Sequence, residues 1–375
     1  MTRARSGAAA LVLFIAGACA SPLPRPEIAS IVAGVERERL RAHVEALAGI
    51  GPRHGGDEAA TQATLEWLEG QLADLGWLIE REHFEAQVLV MQPVFEASSA
   101  SEPTHYEGLP EMRAAANLIA VRPGTRVPRE VIEVAAHYDT VPGSPGADDN
   151  ASGVAALLEI ARVLGEGRTE RTVRLCFFAL EEERLLGSKA HVRILEATAG
   201  LEEHVGVLVL DMIGYRSLDP DSQVTPLRIP LLFSPPRTGD FILLAGNFRS
   251  GSLASDFDAA AARYVPHLSI FGVERLAAWF EGSDRGDHAP YWEAGLRAVT
   301  LTDTAEYRNP HYHLASDRPA TLDYDFLADV TRAALAWTAE QAGYAPPLHE
   351  PSAAAPAVPD YGATGSRCSV REAAP

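Results

Sequence analysis

Between residues 136 and 153 the chain reads Ala-His-Tyr-Asp-Thr and, five residues on, Gly-Ala-Asp-Asp-Asn-Ala-Ser-Gly. His137, Asp139, Asp148 and Asp149 thus bring one imidazole and three carboxylates into one short stretch. Neutral imidazole with carboxylate is a donor set for zinc or a similar divalent ion. Three other segments add matching groups: Glu181-Glu182-Glu183, Asp211, and Asn309-Pro310-His311-Tyr312-His313. A single acid of this kind is ordinarily a helix cap or a solvated loop residue. A histidine and several acids at the ends of successive apolar runs point instead to cation chemistry.

Those apolar runs read as strands. Val131 to Ala136 is a β-favouring run that stops at His137, and Thr172 to Leu180 runs into the glutamates. Val207 to Leu210 ends at Asp211, and Arg297 to Leu301 precedes the His313 loop. Beyond Gly153, Val154, Leu157, Leu158, Ala161 and Leu164 recur at helical spacing, with Gly165 expected just past the helix end. In open α/β sheets, ligands bind beyond the carboxyl ends of strands, which is where these donors fall.

At this point the residues resemble the zinc-dependent aminopeptidases of metallopeptidase family twenty-eight, which also includes glutamate carboxypeptidases and glutaminyl cyclases. The matching motifs are His137-x-Asp139, Gly146 to Gly153, Glu181-Glu182 with Gly187-Ser188, Asp211-Met212, and Asn309-Pro310-x-Tyr312-His313 with Asp317. They follow the family's order over roughly residues 115 to 325. The resemblance implies one α/β domain, a mixed and mostly parallel central sheet flanked by helices. It implies two zinc ions bridged by Asp149, one completed by His137 and Asp211, the other by Glu182 and His313. Glu181 would be the general base, and Asp139 would orient His137. It also implies a cis peptide between Asp149 and Asn150, and peptide substrates with a free N-terminus. A single-zinc glutaminyl cyclase, a carboxypeptidase or dipeptidase, and a non-catalytic binding relative stay open as alternatives.

Nearby residues have plainer readings. Asp148 is expected to cap the following helix or to bond loop backbone, Glu183 to be solvated, and His311 to sit at the rim. Asp287-His288 resembles a family pair and reads as support or substrate contact. Two departures stand out: Arg184 occupies a position where many relatives have glycine, and no tyrosine lies shortly before Asp287. The donor for the tetrahedral intermediate is therefore open, with Arg285 or Tyr291 as the nearest candidates.

Helical spacing is also seen at Val35, Leu40, Val44 and Leu47, at Leu65, Leu68, Leu72 and Leu75, and over Asp325 to Gln341. Trp77 to Phe84 and Asn117 to Val121 read as strands, so β and α alternate within one catalytic domain over residues 28–344. Prolines 220, 226, 230, 235 and 236 suggest that 216–270 is an insertion at the cleft rim. Arg3 and Arg5 before the apolar run Ala8 to Ala16 mark residues 1–18 as a signal peptide. Ala16-Gly17-Ala18-Cys19 resembles a bacterial lipoprotein box, which would lipidate Cys19 and tether the protein to a membrane; Ala18-x-Ala20 offers an ordinary cleavage site instead. Cys176 lies within an apolar strand and Cys368 in a Pro- and Ala-rich tail, 345–375, so no disulfide framework is expected. Lys and Arg number 32 against 51 Asp and Glu, and the net charge of −19 argues against nucleic acid as a partner.

Overall fold

A computed structural model describes residues 23–94, 105–225, 234–275, 277 and 282–347. Val131 to Ala136 are buried on both faces, as the middle strand of a covered sheet must be. They belong to β3 (Val127–His137), which is parallel to β4 (Arg171–Phe178) on one side and β5 (Glu203–Leu210) on the other. The sheet extends through β8 (Ala298–Thr302), β6 (Ile242–Gly246) and β7 (Ile270–Val273) at one edge. At the other edge lie β2 (His105–Arg122) and β1 (Leu78–Val94), giving the order β1-β2-β4-β3-β5-β8-β6-β7. The middle is parallel; β1, β2 and β6 introduce the antiparallel pairs.

Alternate residues of β3 serve different layers. Ile132, Val134 and Ala136 join the larger core with α2 (Arg37–Ile50), α4 (Ala151–Gly165) and α8 (Tyr324–Ala342). Ala135 joins a smaller core that includes Val192 of α5 (Leu186–Ala197) and Tyr291 of α7 (His288–Glu293). α4 starts at Asn150, whose side chain accepts from the Gly153 amide and also from Met212. The cap therefore ties the helix start to the end of β5. The chain runs from β3 through α4 to β4, then through α5 back past β3 to β5. This reversal opens a crevice at the carboxyl ends of β3 and β5.

Several expectations need adjustment. β1 and β2 are longer than Trp77–Phe84 and Asn117–Val121, because they pair with each other far beyond the segment Leu118–Arg122 that joins β4. Gly165 lies within α4 and Glu166 follows in a right-handed conformation, so no left-handed glycine ends this helix. The stretch 216–270 is not an insertion as a whole. Gln223, Val224 and Pro235 do line the cleft, but Ile242–Gly246 is a strand of the sheet and α6 (Gly251–Tyr264) packs on α8. A short helix, α1 (Pro26–Ala33), begins two residues before the expected domain start and packs on α8, while α3 (Glu58–Ala73) follows α2. The expected signal peptide, 1–18, and Cys19 lie outside the described residues, as does the expected tail beyond 347; Ala345 itself pairs with Arg168 in an isolated bridge.

Candidate metal centre

His137 is the last residue of β3, and its side chain is almost wholly buried. Its Nε2 lies 3.3 Å from Asp149 Oδ1 and 3.6 Å from Asp211 Oδ1. The other Asp149 oxygen, Oδ2, lies 3.3 Å from His313 Nε2, which is 3.1 Å from Glu182 Oε2. His137, Asp149 and Asp211 thus form one donor group, and Asp149, Glu182 and His313 a second, each with ligand atoms within 4.8 Å of one another. Donors bound about 2.0–2.1 Å from a shared tetrahedral zinc stand about 3.3–3.4 Å apart, so the spacing suits that ion. Glu182 Oε1 is buried without a hydrogen-bond partner among the described residues. The donor set therefore fits zinc in both chemistry and spacing.

Three of these donors, His137, Glu182 and Asp149, are held from behind. Asp139 lies 3.4 Å from His137 Nδ1, and its two oxygens accept from the amides of Glu181 and Glu182 at 3.0 and 3.1 Å. One residue thereby sets a ligand histidine and the glutamate pair together. Asp317 accepts from the amides of Asp148 and Asp149, fixing the main chain of the carboxylate shared by both donor groups. The peptide between Asp149 and Asn150 is cis, as expected. Leu180, Met212 and His313 have φ of 56°, 53° and 59°, left-handed values that collect at this edge of the sheet. Such conformations cost of order 1–3 kcal/mol each and recur at functional sites.

Charge crowds the centre. Burial raises the Glu181 carboxyl well above its ordinary range; His137 opposes this, while Asp211, Asp287 and Glu182 add to it. Burial and the Asp149 charge raise Glu182 to about 8. Burial pushes the Asp149 carboxyl up as well, but the imidazoles beside it outweigh that and hold it low. Burial disfavours a charged His313, yet Asp149 and Glu182 carry it to about 10. Protons and divalent cations compete for these lone pairs, so uptake of an ion must release protons.

The structure resolves the neighbouring residues. Asp148 does not cap α4; its oxygens accept from the Gly214 amide and the Asn309 side chain, the second of the two readings. Glu183 is half-buried, contrary to the solvated reading, while His311 is a partly exposed residue bonded to Ser316. Asp287 is buried with neither carboxylate oxygen hydrogen-bonded, and His288 bonds the Ser283 carbonyl. Arg184 takes φ 71°, the conformation glycine adopts without strain. Tyr291 is excluded as an oxyanion donor, because its hydroxyl donates to Glu133 in the smaller core. Arg285 does face the cleft; it pairs with Glu306 and donates to the Tyr312 hydroxyl at 3.1 Å. Tyr312 in turn stacks on the His313 ring, with centroids 3.7 Å apart. Two buried groups carried no sequence signal: Asp303, whose carboxyl is raised by burial and by Asp148, and Arg53.

Known proteins resemble this chain in sequence and in fold. A protein of Escherichia coli (strain K12), the uncharacterized YfbL, is 35% identical over 213 residues, which are 53% of this chain and 64% of that protein. The fold is similar to a zinc aminopeptidase from Bacillus subtilis, with a TM-score of 0.60 at 18% identity over 82% of this chain and 95% of that one. It is also similar to a glutaminyl cyclase from Porphyromonas gingivalis, with a TM-score of 0.58 at 20% identity over 82% and 99%. The sequence profile of Peptidase family M28 matches residues 117–338 and so spans both donor groups, from His137 to His313. The chain accordingly belongs to peptidase family M28 and is a zinc-dependent hydrolase.

Proposed function

We propose that the protein is an exported aminopeptidase that hydrolyses N-terminal peptide bonds with two zinc ions bridged by Asp149. The observation that carries this reading is the pair of donor groups sharing that one carboxylate. Zinc ions bound there would supply Lewis acidity and a water acidified to about pKa 7. Glu181 Oε2 lies 4.0 Å from His137 Nε2 and lines the cleft outside both donor groups. It accepts the proton of the attacking water and returns it to the leaving amine, so the proton count closes within one residue. Tyr312 receives a hydrogen bond from Arg285, which leaves its own O–H free to donate to the substrate oxygen that gains charge. Export is read from residues 1–20 alone; a mature N-terminus at lipid-bearing Cys19 or at Ser21 decides the route.

The cleft has a volume of about 670 Å³. Phe241, just before β6, alternates with Leu243 and Ala245 of that strand, and with Phe271 and Val273 of β7 they give it an apolar floor. Glu181, Glu182 and Asp211 give its inner end a negative field. That combination suits a free α-amine at the acidic end and a large apolar first side chain on the floor.

The test is a panel of aminoacyl arylamides and short peptides. Free leucyl and phenylalanyl substrates should exceed their N-acetylated forms by at least about tenfold in kcat/KM, a difference of only ~1.4 kcal/mol. They should exceed aspartyl and glutamyl substrates by a similar margin. Peptides beginning with glutamine should not be cyclised. Equal turnover of acetylated and free substrates would defeat amine recognition, and efficient cyclisation would identify a glutaminyl cyclase.

A further inference from the structure

Arg53 lies between α2 and α3 with no exposed surface, yet among the described residues its guanidinium donates to main-chain carbonyls and to no carboxylate. Nε reaches Tyr138 O at 2.8 Å; Nη1 reaches Leu47 O, Gly51 O and Pro145 O at 3.1, 3.0 and 2.8 Å; Nη2 reaches Gly146 O at 3.3 Å. The Arg53 amide adds a bond to Thr140 Oγ1 at 2.9 Å. Tyr138 stands between His137 and Asp139, and Pro145-Gly146 opens the loop that delivers Asp149. Gly146 O also accepts from Ala151 at the start of α4. The loop is closed tightly around this fork: Gly146 has φ 60°, and a Cβ there would lie 2.3 Å from Asp149 O and 3.0 Å from Arg53 Nη2.

A buried charge is costly unless dipoles or opposite charges compensate it. Here five carbonyl contacts do so directly, and the fields of Asp139, Asp149 and Asp317 favour the charged form against burial. A guanidinium is the side chain that can meet several fixed acceptors at once; a lysine ammonium brings the charge without the planar fork.

We infer that Arg53 is a positioning residue of the metal centre, holding the end of β3 and the 144–149 loop at the separation that lets His137 and Asp149 share one ion. The inference rests on the assignment of those two residues as ligands. It predicts that geometry, and not charge alone, governs zinc affinity.

Zinc affinity measured by competition with a chromogenic chelator, together with zinc-free thermal unfolding, tests it. Arg53→Lys keeps the charge and should still unfold cooperatively, but it should hold zinc at least about tenfold more weakly, within the range seen when groups behind a ligand are lost. Leu253→Ala, in α6, serves as a control for stability alone and should keep wild-type affinity despite a comparable loss of Tm. Arg53→Lys affinity within twofold of wild type would overturn the inference, as would an equal zinc loss in the control. Should Arg53→Lys not fold, Thr140→Val removes the Arg53 amide's partner and should weaken zinc at least threefold, and no change would likewise overturn it. A wild-type protein that takes up no zinc would defeat the ligand assignment beneath the inference.

Discussion

Glu181→Gln is expected to keep its full zinc content while kcat falls by about 10²–10⁴, the range for loss of a general acid–base group. That corresponds to about 2.7–5.4 kcal/mol of barrier. The separation of effects follows from position. Glu181 belongs to neither donor group, and its amide is fixed by Asp139 Oδ1 whether its side chain ends in oxygen or nitrogen. Glutamine preserves volume and removes only the ability to take a proton. KM should change little, because the apolar floor is untouched and Glu182 and Asp211 still face the free amine. Metal analysis beside steady-state kinetics checks both halves. Loss of zinc from Glu181→Gln with retention in Glu182→Gln would show that the roles of the adjacent glutamates are reversed.

The second large effect belongs to Asp149. Its oxygens face different histidines at the same 3.3 Å separation, so each serves one donor group. Asp149→Ala should therefore lose both ions, whereas His137→Ala and His313→Ala should each weaken mainly one. The variant should also be inactive, since alanine offers neither donor group an oxygen. The Asp317 bonds go to main-chain amides, so the loop keeps its external support and the effect is not one of misfolding. Retention of one tightly held ion by Asp149→Ala would show that the second site stands without the bridge.

The clustering of these donors was largely legible in the sequence because they sit where apolar runs stop. His137, Glu182 and Asp211 lie at or just beyond the ends of β3, β4 and β5, and a parallel sheet brings such ends together. Asp149 and His313 come from loops and were readable through their motifs, not through periodicity. Arg53 was illegible for a different reason. One cation after a proline has no local pattern, and its meaning arises only when residues 138–146 fold over it. Tyr291 shows the converse: it lies near the family's Asp-His pair in sequence, but its hydroxyl donates to Glu133, away from the ligands. The prolines of 216–270 hid β6 and α6 because they flank those elements without interrupting them. The length of the β1–β2 ribbon escaped notice because most of it leaves the sheet, so the apolar pattern of a covered strand fades there.

The most direct test of the central claim is the number of zinc ions held per chain, counted by native mass spectrometry across a titration with buffered zinc. Two ions should bind with protons released, and Asp149→Ala should bind neither over the same range. A wild-type protein that saturates at one ion, with excess zinc present, would contradict the bridged pair.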